Sequence, residues 1–146
     1  VNGKPEGWRL ERAAYPYIHA AETRFQDLDP LGHINNVAMA ALFESGRVRF
    51  NHSLGLGRRQ KGIRWLIAKV EINYVAEAHF PDDVEIASGI GTIGSRSWTI
   101  LAAAFQNGQC VATCDTVIVF TDTTGAIALP AEMRALLEAN RVRQAG

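Results

Sequence analysis

Between residues 36 and 54 the side chains of Met39, Leu42, Phe43, Phe50 and Leu54, with Gly46 among them, recur at intervals of three and four. That spacing lines one face of an α-helix. Val37, Ala41 and Val48 fall on the opposite side, and a helix apolar around most of its circumference is expected to be buried. At ~1.5 Å per residue this helix would be ~28 Å long, about the length of a nine-residue strand at ~3.3 Å per residue. A sheet can therefore wrap it. The rest of the chain supplies the strands. Residues 17–26 alternate in the manner of a strand, and roughly 63–77, 83–93, 96–106 and 109–121 are rich in β-branched and aromatic residues. Asn107-Gly108 is a strong hairpin turn between the last two. Pro130 to Asn140 reads as a short amphipathic helix. One strand, one long helix and a run of hairpins predict an α+β fold, with an antiparallel sheet of about five strands around one central helix.

A chain of 146 residues is long enough to bury a core without staples, and it is expected to form a single domain over 1–146, with 1–16 as an N-terminal extension and 130–140 as a C-terminal helix. Fifteen basic and fifteen acidic residues cancel, which predicts no general attraction to nucleic acid or to an anionic membrane. No apolar run approaches the ~20 residues of a membrane span. The opening Val-Asn-Gly-Lys-Pro-Glu-Gly-Trp has no apolar signal-peptide region and no Met, so a missing natural start is expected. Cys110 and Cys114, if on one strand, would sit ~13 Å apart, too far to bridge. Free thiols and no export signal predict a cytoplasmic protein.

The chemistry concentrates in residues 24–36, Arg-Phe-Gln-Asp-Leu-Asp-Pro-Leu-Gly-His-Ile-Asn-Asn. Pro30 has no N–H and biases Asp29 toward an extended backbone. Asn35 or Asn36 is a good N-cap, so the helix should begin there. A carboxylate just before a helix can supply a base or nucleophile, and the free N–H groups of the first turn can stabilise an oxyanion. The plainer reading is that Asp27 and Asp29 are turn and capping residues, which Asp ordinarily is.

The segment resembles the active-site stretch of the hotdog-fold acyl-CoA thioesterases of the 4-hydroxybenzoyl-CoA thioesterase type, with its pattern Asp-x-Asp-x-x-Gly-His-x-Asn-Asn. Asp27, Asp29, Gly32, His33, Asn35 and Asn36 carry the match, the helix continues Phe43-Glu44-x-x-Arg47, and a looser likeness extends over 17–121. The resemblance implies hydrolysis of an acyl-CoA thioester to a carboxylic acid and CoA. Asp29 would be base or nucleophile, and the backbone N–H of Asn36 the oxyanion donor. Gly32 would permit the turn and a close backbone approach, and His33 would orient the loop. It implies no metal and no cofactor beyond the CoA carried by the substrate. It also implies a homodimer or homotetramer built by joining sheets edge to edge, with acyl-carrier-protein thioesters as alternative substrates. CoA carries phosphates, so basic contacts are expected. Arg96 with Ser97 is the preferred nucleotide contact. Arg58 and Arg59, clustered with Lys61 and Arg64, are a second candidate whose plainer reading is a solvated face. Glu44 and Arg47, three apart on the helix, are expected to form a structural ion pair.

Two rivals come from other classes. One is a non-catalytic hotdog module that binds acyl-CoA. The other is a dinucleotide-binding oxidoreductase, because Gly89-Ile-Gly-Thr-Ile-Gly94 matches G-x-G-x-x-G and Asp115 lies about 20 residues on. That reading requires a helix after the glycines, where Arg-Ser-Trp-Thr-Ile is a poor one. His79-Phe80-Pro81 echoes the hotdog dehydratases of fatty-acid synthesis, but Asp82-Asp83 and a strand follow where those continue with a Glu-bearing helix. There is no G-x-S-x-G nucleophile elbow and no Cys/His metal spacing.

Overall fold

The computed structural model describes residues 4–56 and 60–144, so Arg58 and Arg59 lie outside the described residues. The elements run β1 (Tyr17–Ala21), α1 (Asn36–Ser53), β2 (Arg64–Tyr74), β3 (Val84–Ile93), β4 (Ser97–Gln106), β5 (Gln109–Asp122), a two-residue β6 (Gly125–Ala126) and α2 (Ala131–Glu138). All strand pairs are antiparallel, in the order β1-β3-β4-β5-β2, with β6 beside β5. The α+β architecture expected from the single helical pattern is the one observed. The β4–β5 hairpin turns on Asn107 at φ 52° and Gly108 at φ 81°. Both lie in the left-handed region, whose turn geometry matches the twist of the flanking strands.

α1 lies against β1, β3 and β4. Its stripe divides the core in two. Met39 and Phe43 pack with Val84, Ile86 and Val111 near the helix start, and Phe50 packs with Ile90, Trp98, Ile100 and Leu137 near its end. Each such side chain contributes roughly 1.5–3 kcal/mol of burial free energy. Between the two groups sits Gly46, where a Cβ would collide with the Ile86 side chain. The absence of a side chain there sets how closely helix and sheet approach.

Three expectations need correction. β1 ends at Ala21 rather than near 26, because residues 25–27 form a turn of 3-10 helix closed by the Asp27 carboxylate, which accepts the Arg24 N–H at 2.9 Å. The helix is not buried all round: Val37 is 81% and Val48 61% exposed. The sheet covers one side of α1, chiefly through β3, with β1 and β4 beside it. Glu44 and Arg47 form no ion pair among the described residues. Arg47 instead donates to Thr116 Oγ1 at 3.3 Å, reaching into the sheet while Glu44 stays exposed.

The G-x-G-x-x-G stretch belongs to β3, and residues 97–106 are the strand β4. No helix follows the glycines, which removes the dinucleotide reading. The glycines have a packing role instead. A Cβ on Gly89 would lie 2.7 Å from both Pro16 and Val142, and one on Gly91 would lie 2.9 Å from Leu101. Bare backbone there lets segments near both ends of the chain cross the outer face of the sheet. Cys110 and Cys114 are free and buried on β5, and burial pushes both thiols up. No helix among the described residues is long and apolar enough to cross a membrane.

Candidate active site

The loop from Asp27 to Asn35 is built by backbone hydrogen bonds together with the side chains of Asp27, Asp29 and Asn35. The Asp29 N–H donates to the His33 carbonyl at 2.8 Å, and the Gly32 N–H donates to the Asp29 carbonyl at 3.0 Å. Gly32 sits at φ 83° with open space where a Cβ would be. The turn requires this left-handed backbone, which glycine adopts without strain. The Ile34 N–H donates to the Ala78 carbonyl at 2.8 Å and fastens the loop to the connection between β2 and β3.

This geometry orients the Asp29 carboxylate. Its Oδ1 accepts the N–H groups of Leu31 at 2.9 Å and His33 at 3.1 Å. Oδ2 has no hydrogen-bond partner among the described residues, so one oxygen is held and the other is available. The half-buried side chain borders a groove of about 600 Å3 with Arg24, Gln26, Asn36, Val37 and Ala41.

The helix N-terminus faces the same groove. Asn35 is the N-cap: its Oδ1 accepts the Ala38 N–H at 2.7 Å, while its Nδ2 and N–H both donate to the Asp27 carbonyl at 2.8 Å. The N–H groups of Asn36 and Val37 have no partner among the described residues. They are the orphan donors of a first turn, at the positive end of the helix dipole. Asp27 itself is spoken for. It is 4% exposed and pairs with the Arg24 guanidinium at 2.8 Å. Burial alone would raise its carboxyl, but the hydrogen bonds and charge of Arg24 outweigh that and hold it below the ordinary value.

His33 points away from the groove. Its Nε2 lies 3.1 Å from Glu77, and its ring meets His79 edge-to-face with centroids 5.3 Å apart. Tyr74 lies on the other flank of the first turn, its hydroxyl donating to the Asn36 carbonyl at 3.3 Å. Tyr74 and Glu77 carry no local signal, because they sit some 40 residues from the loop they touch. In the sequence His79 stands out only for its dehydratase echo.

The fold does not bring Arg96 and Ser97 to Asp29. Both lie where β3 turns into β4, while Ile34 and the loop hang at the other end of β3. The ten residues of β3 separate the two ends by ~30 Å. Lys61 and Arg64 lie at the Arg96 end: Arg64 pairs with Thr121 on β5, and the neighbouring Phe120 N–H donates to the Arg96 carbonyl at 2.9 Å. Among the described residues no three His, Cys, Asp or Glu side chains are grouped as metal ligands.

Residues 23–137, a span covering most of the chain, match the family model described as the Thioesterase-like superfamily. This chain belongs to that superfamily. Its hotdog fold is shared with solved members. The chain is similar to the PA5185 protein of Pseudomonas aeruginosa strain PAO1, at 27% identity over 92% of this chain and 97% of that one, with a TM-score of 0.80. It is similar to a predicted thioesterase from Bacillus stearothermophilus, at 30% identity over 89% of this chain and 98% of that one, with a TM-score of 0.79. A thioesterase from Thermus thermophilus, complexed with coenzyme A and Zn, matches at 26% identity over 86% of this chain and 95% of that one, with a TM-score of 0.75. A further similar sequence, the uncharacterized protein YsmA of Bacillus subtilis strain 168, is 22% identical over 61% of this chain, and the match spans 60% of that protein's length.

Proposed function

We propose that this protein hydrolyses an acyl-CoA thioester to a carboxylic acid and CoA, with Asp29 as the reacting carboxylate. The observation that carries the reading is Asp29 itself, with one oxygen held by two backbone N–H groups and the other free, beside the unpartnered N–H groups of Asn36 and Val37. Superfamily membership supports the reaction class. The coenzyme A bound to the Thermus thermophilus relative supports CoA as the carrier.

The chemistry asks for little more. A thiol leaves with a pKa of about 8.5, so its departure needs no dedicated acid. The thioester carbonyl oxygen would receive the Asn36 N–H, where developing negative charge meets the positive end of α1. Asp29 Oδ2 then has two routes. It attacks the carbonyl carbon, expelling the CoA thiolate and leaving a mixed anhydride that water cleaves. Alternatively it takes a proton from a water that attacks the same carbon, and the thiolate carries that proton away. Label found in the Asp29 side chain after single turnover in heavy-oxygen water would establish the anhydride route, because only water attacking the Asp29 carbonyl of the anhydride places its oxygen there. His33 orients the loop through its backbone, and Gly32 allows the turn.

The nucleotide contacts fit a shared site. β2 is a free edge with Leu66, Ile67, Val70 and Tyr74 each about half exposed. If two copies of β2 paired antiparallel about a two-fold axis, the start of one would meet the end of the other. The basic end of one copy, with Arg64 and Arg96, would then stand near Asp29 of its partner. Ser97 belongs to the same proposed nucleotide surface, and Arg58 and Arg59, outside the described residues, stay candidates by sequence alone. A thiol-release assay over a panel of acyl-CoAs tests the reading. Release that Asp29→Asn abolishes is the expected result, and acyl-CoA binding without release would establish the non-catalytic alternative.

A further inference from the structure

The flank of α1 that faces β5 and β2 carries apolar surface and both signs of charge. Arg47 marks its direction, because the guanidinium reaches Thr116 Oγ1 on β5 at 3.3 Å. At ~100° per residue, Glu44, Val37 and Val48 lie ~60–100° further round from the core stripe. All three are exposed. The floor beside them is β2. Val70 lies opposite Thr116, and Ile67 opposite Ile118, which packs with Phe50 of α1. Directly opposite residues share a face of the sheet, so both lie on the helix side, and each is about half exposed. Arg47 is half-buried, and no carboxylate pairs with it among the described residues. A hydroxyl partner gives it no charge-assisted bond of the kind a carboxylate supplies. Glu44 is the one acid on α1, and it has no cation partner among the described residues.

We propose that this flank docks a second copy of the chain, with Glu44 of each copy paired to Arg47 of the other. The inference needs two β2 edges to pair, and it does not need the thioesterase reading. Lys69 is the middle residue of β2, and its neighbour Val70 lies opposite Thr116, the residue Arg47 touches. A two-fold axis through the middle of a β2–β2 pair therefore passes at the level of Arg47 on α1. The axis reverses the direction of the second helix. Glu44 precedes Arg47 by three residues, ~4.5 Å of rise. Along the helix, Glu44 of the second copy then comes within about that distance of Arg47, and the contact forms twice. A flank with both signs is complementary to itself under a two-fold, as an isologous interface requires. Val37, Val48, Ile67 and Val70 supply the apolar surround, where partial loss of water strengthens an ion pair.

Two variants of opposite charge, Glu44→Arg and Arg47→Glu, test this by sedimentation velocity. Alone, each variant presents only like charge across the axis, and its dimer should weaken by about a hundred-fold or more. In an equimolar mixture both contacts join opposite charges again, so mixed dimers should form with near wild-type affinity. Mixing cannot rescue an ion pair within one chain, which separates the two arrangements of the same residues. Should either variant fail to fold by circular dichroism, Glu44→Gln and Arg47→Gln take their place. Each should weaken the dimer by about ten-fold, and the double variant by no more than either, because all three remove the same pairs. Charged or neutral variants that dimerise as tightly as the wild type would overturn the inference. So would a mixture of folded charged variants that stays monomeric, or a monomeric wild type. Thiol release tests the thioesterase reading separately.

Discussion

Asp27 and Asp29 are two residues apart and chemically identical, yet their surroundings give them different work. Asp27 is buried, and Arg24 holds both its oxygens. Asp29 keeps one oxygen without a partner, at the mouth of a groove. Asp29→Asn should therefore lower kcat by about 10²–10⁴ while leaving the fold and acyl-CoA binding nearly intact, as read by thiol release and by equilibrium binding. Asp27→Asn should cost much less activity and more stability. The sign of its pH dependence follows from its lowered pKa. The stability Asp27 contributes is present above the unfolded value, about pH 4, and is lost as pH falls through the lower folded value. Urea unfolding at neutral pH and at about pH 3 should show a smaller acid loss in Asp27→Asn than in the wild type. Equal activity losses in the two variants would contradict the assignment of roles.

At the scale of the element, α1 is set by its ends and by one point in its middle. Asn35 closes the N-terminus and ties it to Asp27, and Gly46 fixes the approach to β3. Gly46→Ala improves intrinsic helix propensity by about 1 kcal/mol but drives a methyl group into Ile86, and overpacking of that kind costs typically about 1–3 kcal/mol. The net expectation is a lower midpoint in thermal unfolding. A higher one would mean that helix and sheet separate readily, and that the glycine is no spacer. The same close packing explains the glycines of β3, which make room for Pro16, Val142 and Leu101.

For the whole molecule, the exposed side of α1 and the open edge at β2 belong together. Val37 and Val48 on the helix, and Leu66, Ile67 and Val70 on the strand, leave apolar surface and unpaired backbone facing water. Such edges invite pairing with another chain. We expect a homodimer or homotetramer, with activity dependent on it. Light scattering at micromolar concentration checks this, and a fully active monomer would contradict the shared site. Arg96→Ala should raise KM for acyl-CoA and leave a short thioester without the nucleotide nearly unaffected, because a phosphate contact is remote from the reacting carbon. Equal effects on both substrates would place Arg96 in structure instead.

The sequence by itself determined what is local. The three-four spacing of Met39, Phe43 and Phe50 located the helix, Asn107-Gly108 located the hairpin, and Asn35 with its acids marked the helix start, because each of these is a contest between neighbouring residues along the chain. Side-chain period alone did not say which face of α1 the sheet would cover. That depended on strand order, a matter of contacts between distant segments, and so Val37 and Val48 were wrongly expected to be buried. The Glu44–Arg47 pair failed for the same reason: spacing allowed it, but Thr116 from β5 offered Arg47 another partner. Tyr74 and Glu77 became visible only when β2 and its following loop were folded against the helix start. The enclosure of Asp27 and the free oxygen of Asp29 also waited for the tertiary structure, since they depend on how the loop folds around each carboxylate.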